Sequence, residues 1–181
     1  MKYLLIPLLI ILSLQSCKSS KLRRKNKEKT AKIIIGSKTP EFNNAIELSS
    51  NKPRSTRKSV ISYAEQFLGT PYKWGGTTKR GMDCSGLVFE SFQSENIFLP
   101  RISRDMAKKG DKIKLNEVLE GDLLFFKTGN RRDAINHVGL VVAIRNNDIK
   151  FIHATTREGV IISGLNETYW LNAFFQARRV L

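Results

Sequence analysis

The sequence predicts an α+β fold in which helices come first and an antiparallel run of strands follows. Three observations carry this. Apolar residues recur at three- and four-residue spacing between 57 and 95. The period shortens to two after Gly121-Asp122. The periodic part, about 122 residues, is long enough to bury one core of its own.

In the first segment Val60, Tyr63, Ala64, Phe67 and Leu68 line one face, Gly69 stands where a C-terminal cap belongs and Pro71 follows, which predicts a helix over 57–68. A second helix is expected over 84–95, with Cys84, Leu87, Val88 and Ser91 on a common face, Asp83 as N-cap and Gly81 in the preceding loop. A short helix is expected over 103–108. Strands are expected over 123–127, 137–145, 149–155, 159–163 and 173–180, broken by turn residues at Asn146-Asn147-Asp148 and Glu158-Gly159.

The chain has 181 residues, with 31 Lys and Arg against 16 Asp and Glu, a formal charge of +15. Two thirds of that excess lies in residues 17–59; from residue 60 onward the balance is only +4. The folded part therefore lacks the basic stripe, and the sequence lacks the interleaved aromatic motif, of a nucleic-acid binder, so nucleic acid is not an expected partner. Two cysteines exclude a disulfide-stapled scaffold, and the absence of repeats excludes collagen-like and coiled-coil classes.

Residues 1–16 have the layout of an export signal: Lys2 near the start, then an apolar run from Leu4 to Leu14 that is too short to cross a bilayer. Leu14-Gln15-Ser16-Cys17 resembles a bacterial lipobox, which implies cleavage before Cys17 and acylation of its thiol, with more than one acyl chain needed for stable attachment. A plain secretory signal with Cys17 near the cut is the alternative. Residues 17–57 are rich in Lys, Arg, Ser and Asn and read as a basic flexible linker, of a kind that also binds anionic polymer or lipid. The domain is expected over 58–181. Lys18 stands where an aspartate favours inner-membrane retention in some bacteria, so the expected location is the periplasmic face of the outer membrane.

Candidate chemistry concentrates in three residues. His137, Gly139, Val141 and Ala143 alternate onto one face of their strand, and Ile149, Phe151, His153 and Thr155 onto one face of the next. With only a short turn between them, the two strands predict a hairpin with both histidines on the same side. Cys84 opens a helix, where the N-terminal field and a nearby imidazole favour its thiolate. Each residue alone fits ordinary packing, since free cysteine is among the most buried types. With Cys17 acylated, however, Cys84 has no partner in the chain, and a lone thiol in an exported protein is a liability unless buried or used. Together the three supply nucleophile, base and orienting group. A metal site is not expected, because the set lacks paired short spacings and an H-E-x-x-H helix.

Pro71-Tyr72-Lys73-Trp74-Gly75-Gly76, Asp83-Cys84-Ser85-Gly86-Leu87-Val88, Leu99-Pro100-Arg101 with Ser103, Gly121-Asp122-Leu123-Leu124-Phe125-Phe126 and Asn136-His137-Val138-Gly139-Leu140 occur in that order. Over about 58–180 this resembles the NlpC family of papain-like cell-wall cysteine peptidases. The resemblance implies a papain-like core with N-terminal helices packed on a central antiparallel sheet. It also implies hydrolysis of peptidoglycan stem peptides, at a γ-D-glutamyl-diamino acid bond or a cross-bridge, by a monomer that needs no cofactor. Carried over, Cys84 is the nucleophile, His137 the general base and then acid, and His153 the orienting residue.

Tyr72, Asp83 and Ser85 match positions that line the family's site, Tyr72 as a donor to the oxyanion and Asp83 as a substrate-amine ligand or simply an N-cap. Arg101 is a candidate partner for a stem-peptide carboxylate or a surface arginine, and Gly121-Asp122 reads as a structural turn. Asp105 and Met106 depart from the family, which often has glutamine in that helix. Two further readings keep the fold: an amidase acting on another wall bond, and a catalytically silent peptidoglycan-binding lipoprotein.

Overall fold

A computed structural model describes residues 42–129 and 133–181, with side chains from residue 54. The export signal expected over 1–16, Cys17, and the linker up to residue 41 lie outside the described residues.

Helix α1 runs Phe42–Glu65, so the helix expected over 57–68 begins fifteen residues earlier. The expected boundary between linker and domain at 57/58 thus falls inside a helix. Asn43, Asn44, Ser49, Ser50 and Asn51, all weak helix formers, masked Ala45, Glu47 and Leu48, and the helix carries Pro53 despite the lost donor. Val60, Ile61 and Ala64 form its buried face. It ends in tight turns closed by Gly69, whose φ of 77° lies in the left-handed region.

A two-strand ribbon, β1 (Thr77–Thr78) and β2 (Gly81–Met82), precedes α2 (Cys84–Gln93) and α3 (Ser103–Met106). The sheet follows: β3 (Asp111–Ile113), β4 (Leu123–Phe126), β5 (His137–Arg145), β6 (Asp148–Thr155), β7 (Gly159–Gly164), helix α4 (Thr168–Ala173) and β8 (Phe174–Arg179). Its six strands are antiparallel in the order β3-β8-β4-β5-β6-β7. β1, β2 and β3 are too short to impose a readable period, and neither they nor α4 were expected from the sequence.

All four residues of β4, Leu123 to Phe126, are fully buried, because the sheet is covered on both faces. Leu123, Phe125, Val138, Leu140, Ile152 and Ala154 pack with α1 and α2 in one cluster. Leu124, Phe126, Val141, Phe151 and Ala177 pack with Trp170 and Ala173 of α4 in the other. In the β5–β6 hairpin Val141 pairs with Phe151 but Ala143 with Lys150, a one-residue bulge. The bulge ends the alternation, so Ala143 does not continue the face of His137, Gly139 and Val141.

The Gly121-Asp122 turn is structural, as expected. Asp122, 1% exposed, accepts from Arg179 Nε (2.9 Å) and Nη2 (2.8 Å) and from the Leu119 N–H (2.6 Å), tying β8 to the start of β4. Asp122→Ala removes the carboxylate and leaves those donors behind. The expected loss is about 2 kcal/mol, read as a lower urea midpoint; an unchanged midpoint would contradict this role for the pair.

Candidate active site

Cys84 is the first residue of α2, and the loops around it are held by Asp83. The Asp83 carboxylate caps the helix by accepting from the Gly86 N–H (2.6 Å) and fixes the preceding loop by accepting from the Gly75 N–H (2.8 Å). It also receives both terminal nitrogens of Arg101, Nη1 at 2.9 Å and Nη2 at 3.1 Å. Arg101 Nη1 further donates to Ser85 Oγ (2.9 Å), and Nη2 to the Gly76 carbonyl (3.2 Å). The Arg101 guanidinium thus forms a bidentate pair with Asp83 inside the chain. Asp83 takes the N-cap role. Gly86 is required by this closeness, because a Cβ there would lie 2.1 Å from the Gly76 carbonyl oxygen.

The two histidines share one side of the sheet, as the alternation predicts. His137 opens β5, and its Nε2 lies 2.9 Å from His153 Nδ1; His153 Nε2 lies 3.0 Å from Ser163 Oγ on β7. Trp170 from α4 stacks on the His137 ring at a centroid distance of 5.2 Å and stands edge-on to His153 at 4.6 Å. Phe126 and Phe151 complete the wall. Gly139 makes room for it, since a Cβ there would come within 2.4 Å of the Phe151 ring. Ser163 and Trp170 were not picked out from the sequence. A lone serine in the apolar run Val160-Ile-Ile-Ser163 is the signal that marks the first; nothing local marks the second.

Cys84 meets the start of β5. Its thiol lies against the backbone N–H of Val138, the residue after His137, and against the N–H groups of Cys84 and Ser85 in the first turn of α2. These donors favour the thiolate, but burial outweighs them and Asp83 opposes it, so the thiol is pushed up to about 11. Burial likewise pushes His137 down to about 4, and burial together with the His137 charge pushes His153 down further. The helix N-terminus favours the thiolate, as expected, and burial opposes it.

Tyr72 lies near Cys84 and Asp83. Burial, then the Cys84 and Asp83 charges, raise its phenol, which keeps the hydroxyl protonated and able to donate. The departures at the next helix are accounted for. Asp105 turns outward to Lys108 (2.7 Å) and Met106 is buried in the core.

A thiol at about 11 rather than 9 has about a hundredfold less thiolate at neutral pH. Iodoacetamide is therefore expected to alkylate Cys84 far more slowly at pH 7 than a small-molecule thiol, with a rate that climbs tenfold per pH unit up to about pH 10. A plateau below pH 8 would show a stabilised thiolate instead.

The model of the NlpC/P60 family matches residues 69–179. A relative named probable endopeptidase NlpC, from Escherichia coli strain K12, is 44% identical over 117 residues, covering 64% of this chain and 73% of its own. The chain belongs to the NlpC/P60 family. A second relative from the same organism, named murein DD-endopeptidase MepS/murein LD-carboxypeptidase, is 32% identical over 186 residues, covering 100% of this chain and 95% of its own. Among solved structures, an NlpC/P60 family protein from Bacillus cereus matches 69% of this chain and 40% of its own with a TM-score of 0.62 at 29% identity. The matched span holds Cys84, His137, His153 and Ser163, so the site described here lies wholly within the NlpC/P60 domain.

Proposed function

We propose that this NlpC/P60 chain is a thiol-dependent endopeptidase acting on peptidoglycan stem peptides, with Cys84 as nucleophile and His137 as general base and acid. The observation that carries the reading is the thiol of Cys84 at the Val138 N–H, one residue from an imidazole whose far nitrogen is held by His153 at 2.9 Å. With Nε2 of His137 engaged, Nδ1, the nitrogen nearer its own backbone, is left for the thiol.

As Sγ forms its bond to the amide carbon, its proton passes to His137 Nδ1, and the carbonyl oxygen takes up negative charge. The Cys84 N–H and the Tyr72 hydroxyl are the donors for that oxygen. His137 then gives its proton to the leaving amine as the C–N bond breaks, leaving a thioester. Water, deprotonated by His137, attacks the thioester and frees Sγ. No step calls for a metal or organic cofactor.

Of the two stem-peptide bonds, the cross-bridge is the one we assign, because the relative aligned over the whole of this chain bears the name of a murein DD-endopeptidase. Incubation of the full-length protein in detergent with purified muropeptides tests this by mass spectrometry. Conversion of cross-linked dimers to monomers is expected. Cleavage confined to monomers, between D-glutamate and the diamino acid, would move the assignment to the other bond. Intact dimers and monomers with a folded protein would favour a binding module.

We also propose that Cys17 carries the membrane anchor and that the domain works from the periplasmic face of the outer membrane. The support is Leu14-Gln15-Ser16-Cys17 followed by Lys18. Labelling cells with an alkyne fatty acid is expected to mark the protein, and Cys17→Ala to abolish the label. An unlabelled wild-type protein would defeat the proposal.

A further inference from the structure

The hydrogen-bond chain that begins at His137 does not stop at His153. Ser163 Oγ lies 3.0 Å beyond, on His153 Nε2, and all three side chains are buried, His153 completely. We propose that Ser163 is a positioning residue of this site: its oxygen accepts the Nε2 proton of His153 in the tautomer that leaves Nδ1 of His137 bare for the Cys84 proton, and so holds that tautomer open. The proposal rests on the reading of Cys84 and His137 given above.

Proton counting carries the argument. A neutral imidazole has one N–H and one lone pair, and only one proton fits between His137 Nε2 and His153 Nδ1 at 2.9 Å. If His137 supplies it, Nδ1 of His137 is free to act as a base, and the single proton of His153 sits on Nε2, pointing at Ser163. If His153 supplies it, the proton of His137 sits on Nδ1 and the base is lost, while Ser163 donates to a bare Nε2. A free serine hydroxyl serves either state, so the resting protein can hold both.

Turnover removes that freedom. Once His137 has taken the thiol proton both its nitrogens carry hydrogen, so His153 must accept at Nδ1 and donate from Nε2. The other groups packed on the two imidazoles, Phe126, Phe151 and Trp170, are rings without an acceptor oxygen. Ser163 supplies one. The β6–β7 register pairs Ser163 with Phe151 and Ile161 with His153, which puts the hydroxyl on the histidine side of the sheet, one diagonal step from His153. Without it a buried N–H is orphaned beside a newly formed charge, whereas the opposite tautomer orphans only a lone pair, the lesser cost.

Nitrogen-15 spectra of the histidine rings and steady-state kinetics, on the full-length protein and its Ser163→Ala and Ser163→Thr variants, test this. Ser163→Ala is expected to shift the population toward hydrogen on His137 Nδ1 and His153 Nδ1. Its kcat is expected to fall about ten- to a hundredfold with KM within about twofold. Ser163→Thr is expected to restore both. Unchanged tautomers in Ser163→Ala, or a loss of kcat that tracks a lowered melting temperature and is not restored by threonine, would overturn the proposal. The spectra need no substrate, so they decide the tautomer question even if the wild-type protein cuts no muropeptide, an outcome that would count against the proposed function instead.

Discussion

Alanine at position 84 is expected to leave a folded protein that cleaves no stem-peptide bond, a loss of at least about 10⁴-fold. The hydroxyl next to the Cys84 sulfur, Ser85 Oγ, is engaged by Asp83 at 3.3 Å and by Arg101 at 2.9 Å, and the backbone N–H groups and the capping carboxylate cannot replace the sulfur. Removing one half-buried sulfur leaves the apolar face of α2 intact, because Leu87, Val88 and Phe92 make that contact. Muropeptide mass spectrometry beside a thermal melt separates chemistry from folding. Cleavage surviving in a folded Cys84→Ala protein would remove the thiol mechanism, and with it the roles assigned to His137 and Tyr72.

Acid is expected to destabilise the domain from just below pH 6.5. His137 is held neutral, pushed by burial to about 4 from an ordinary value of 6.5. The unfolded chain therefore binds a proton that the folded chain refuses. The stabilisation is complete above about pH 6.5 and is lost as the pH falls toward 4, up to about 3 kcal/mol from His137 alone. His153 pushes in the same direction, from burial and from the His137 charge. Asp105 and Asp148, held low by hydrogen bonds from Lys108 and Lys150, add their own loss only below that window. Urea midpoints at pH 7.5, 6, 5 and 4 measure the slope. Flattening by His137→Asn between pH 6.5 and 4 is the expected result; an identical slope in the variant would mean that the imidazole is not held neutral.

Much of this protein was legible along the chain because the signals are local. A helix repeats near 3.6 residues and a strand at two, so the helices at Cys84 and the strands at His137 and His153 follow from spacing alone, as does the shared side of the two histidines. The five ordered blocks around Cys84 and His137 likewise need no third dimension. Where the reading failed, the cause was brevity or competition. β1, β2 and β3 have two or three residues each, the start of α1 was hidden by asparagine, serine and a proline, and a single extra residue in β5 turned Ala143 to the other face.

Contacts between distant segments, and the water they exclude, are visible only once the chain is folded. Arg101 stands 18 residues from Asp83, and only the folded loops show the two paired. Trp170 and Ser163 come from elements beyond the hairpin, and they turn two histidines into a walled, directed proton chain. The charge state of Cys84 belongs here too. The sequence by itself determined which atoms are present and on which faces they lie, and the helix N-terminus it placed beneath the thiol does favour ionisation. Whether the thiol ionises depends on how much water packing removes, a property summed over every neighbour in space, and here that cost exceeds what the helix end supplies.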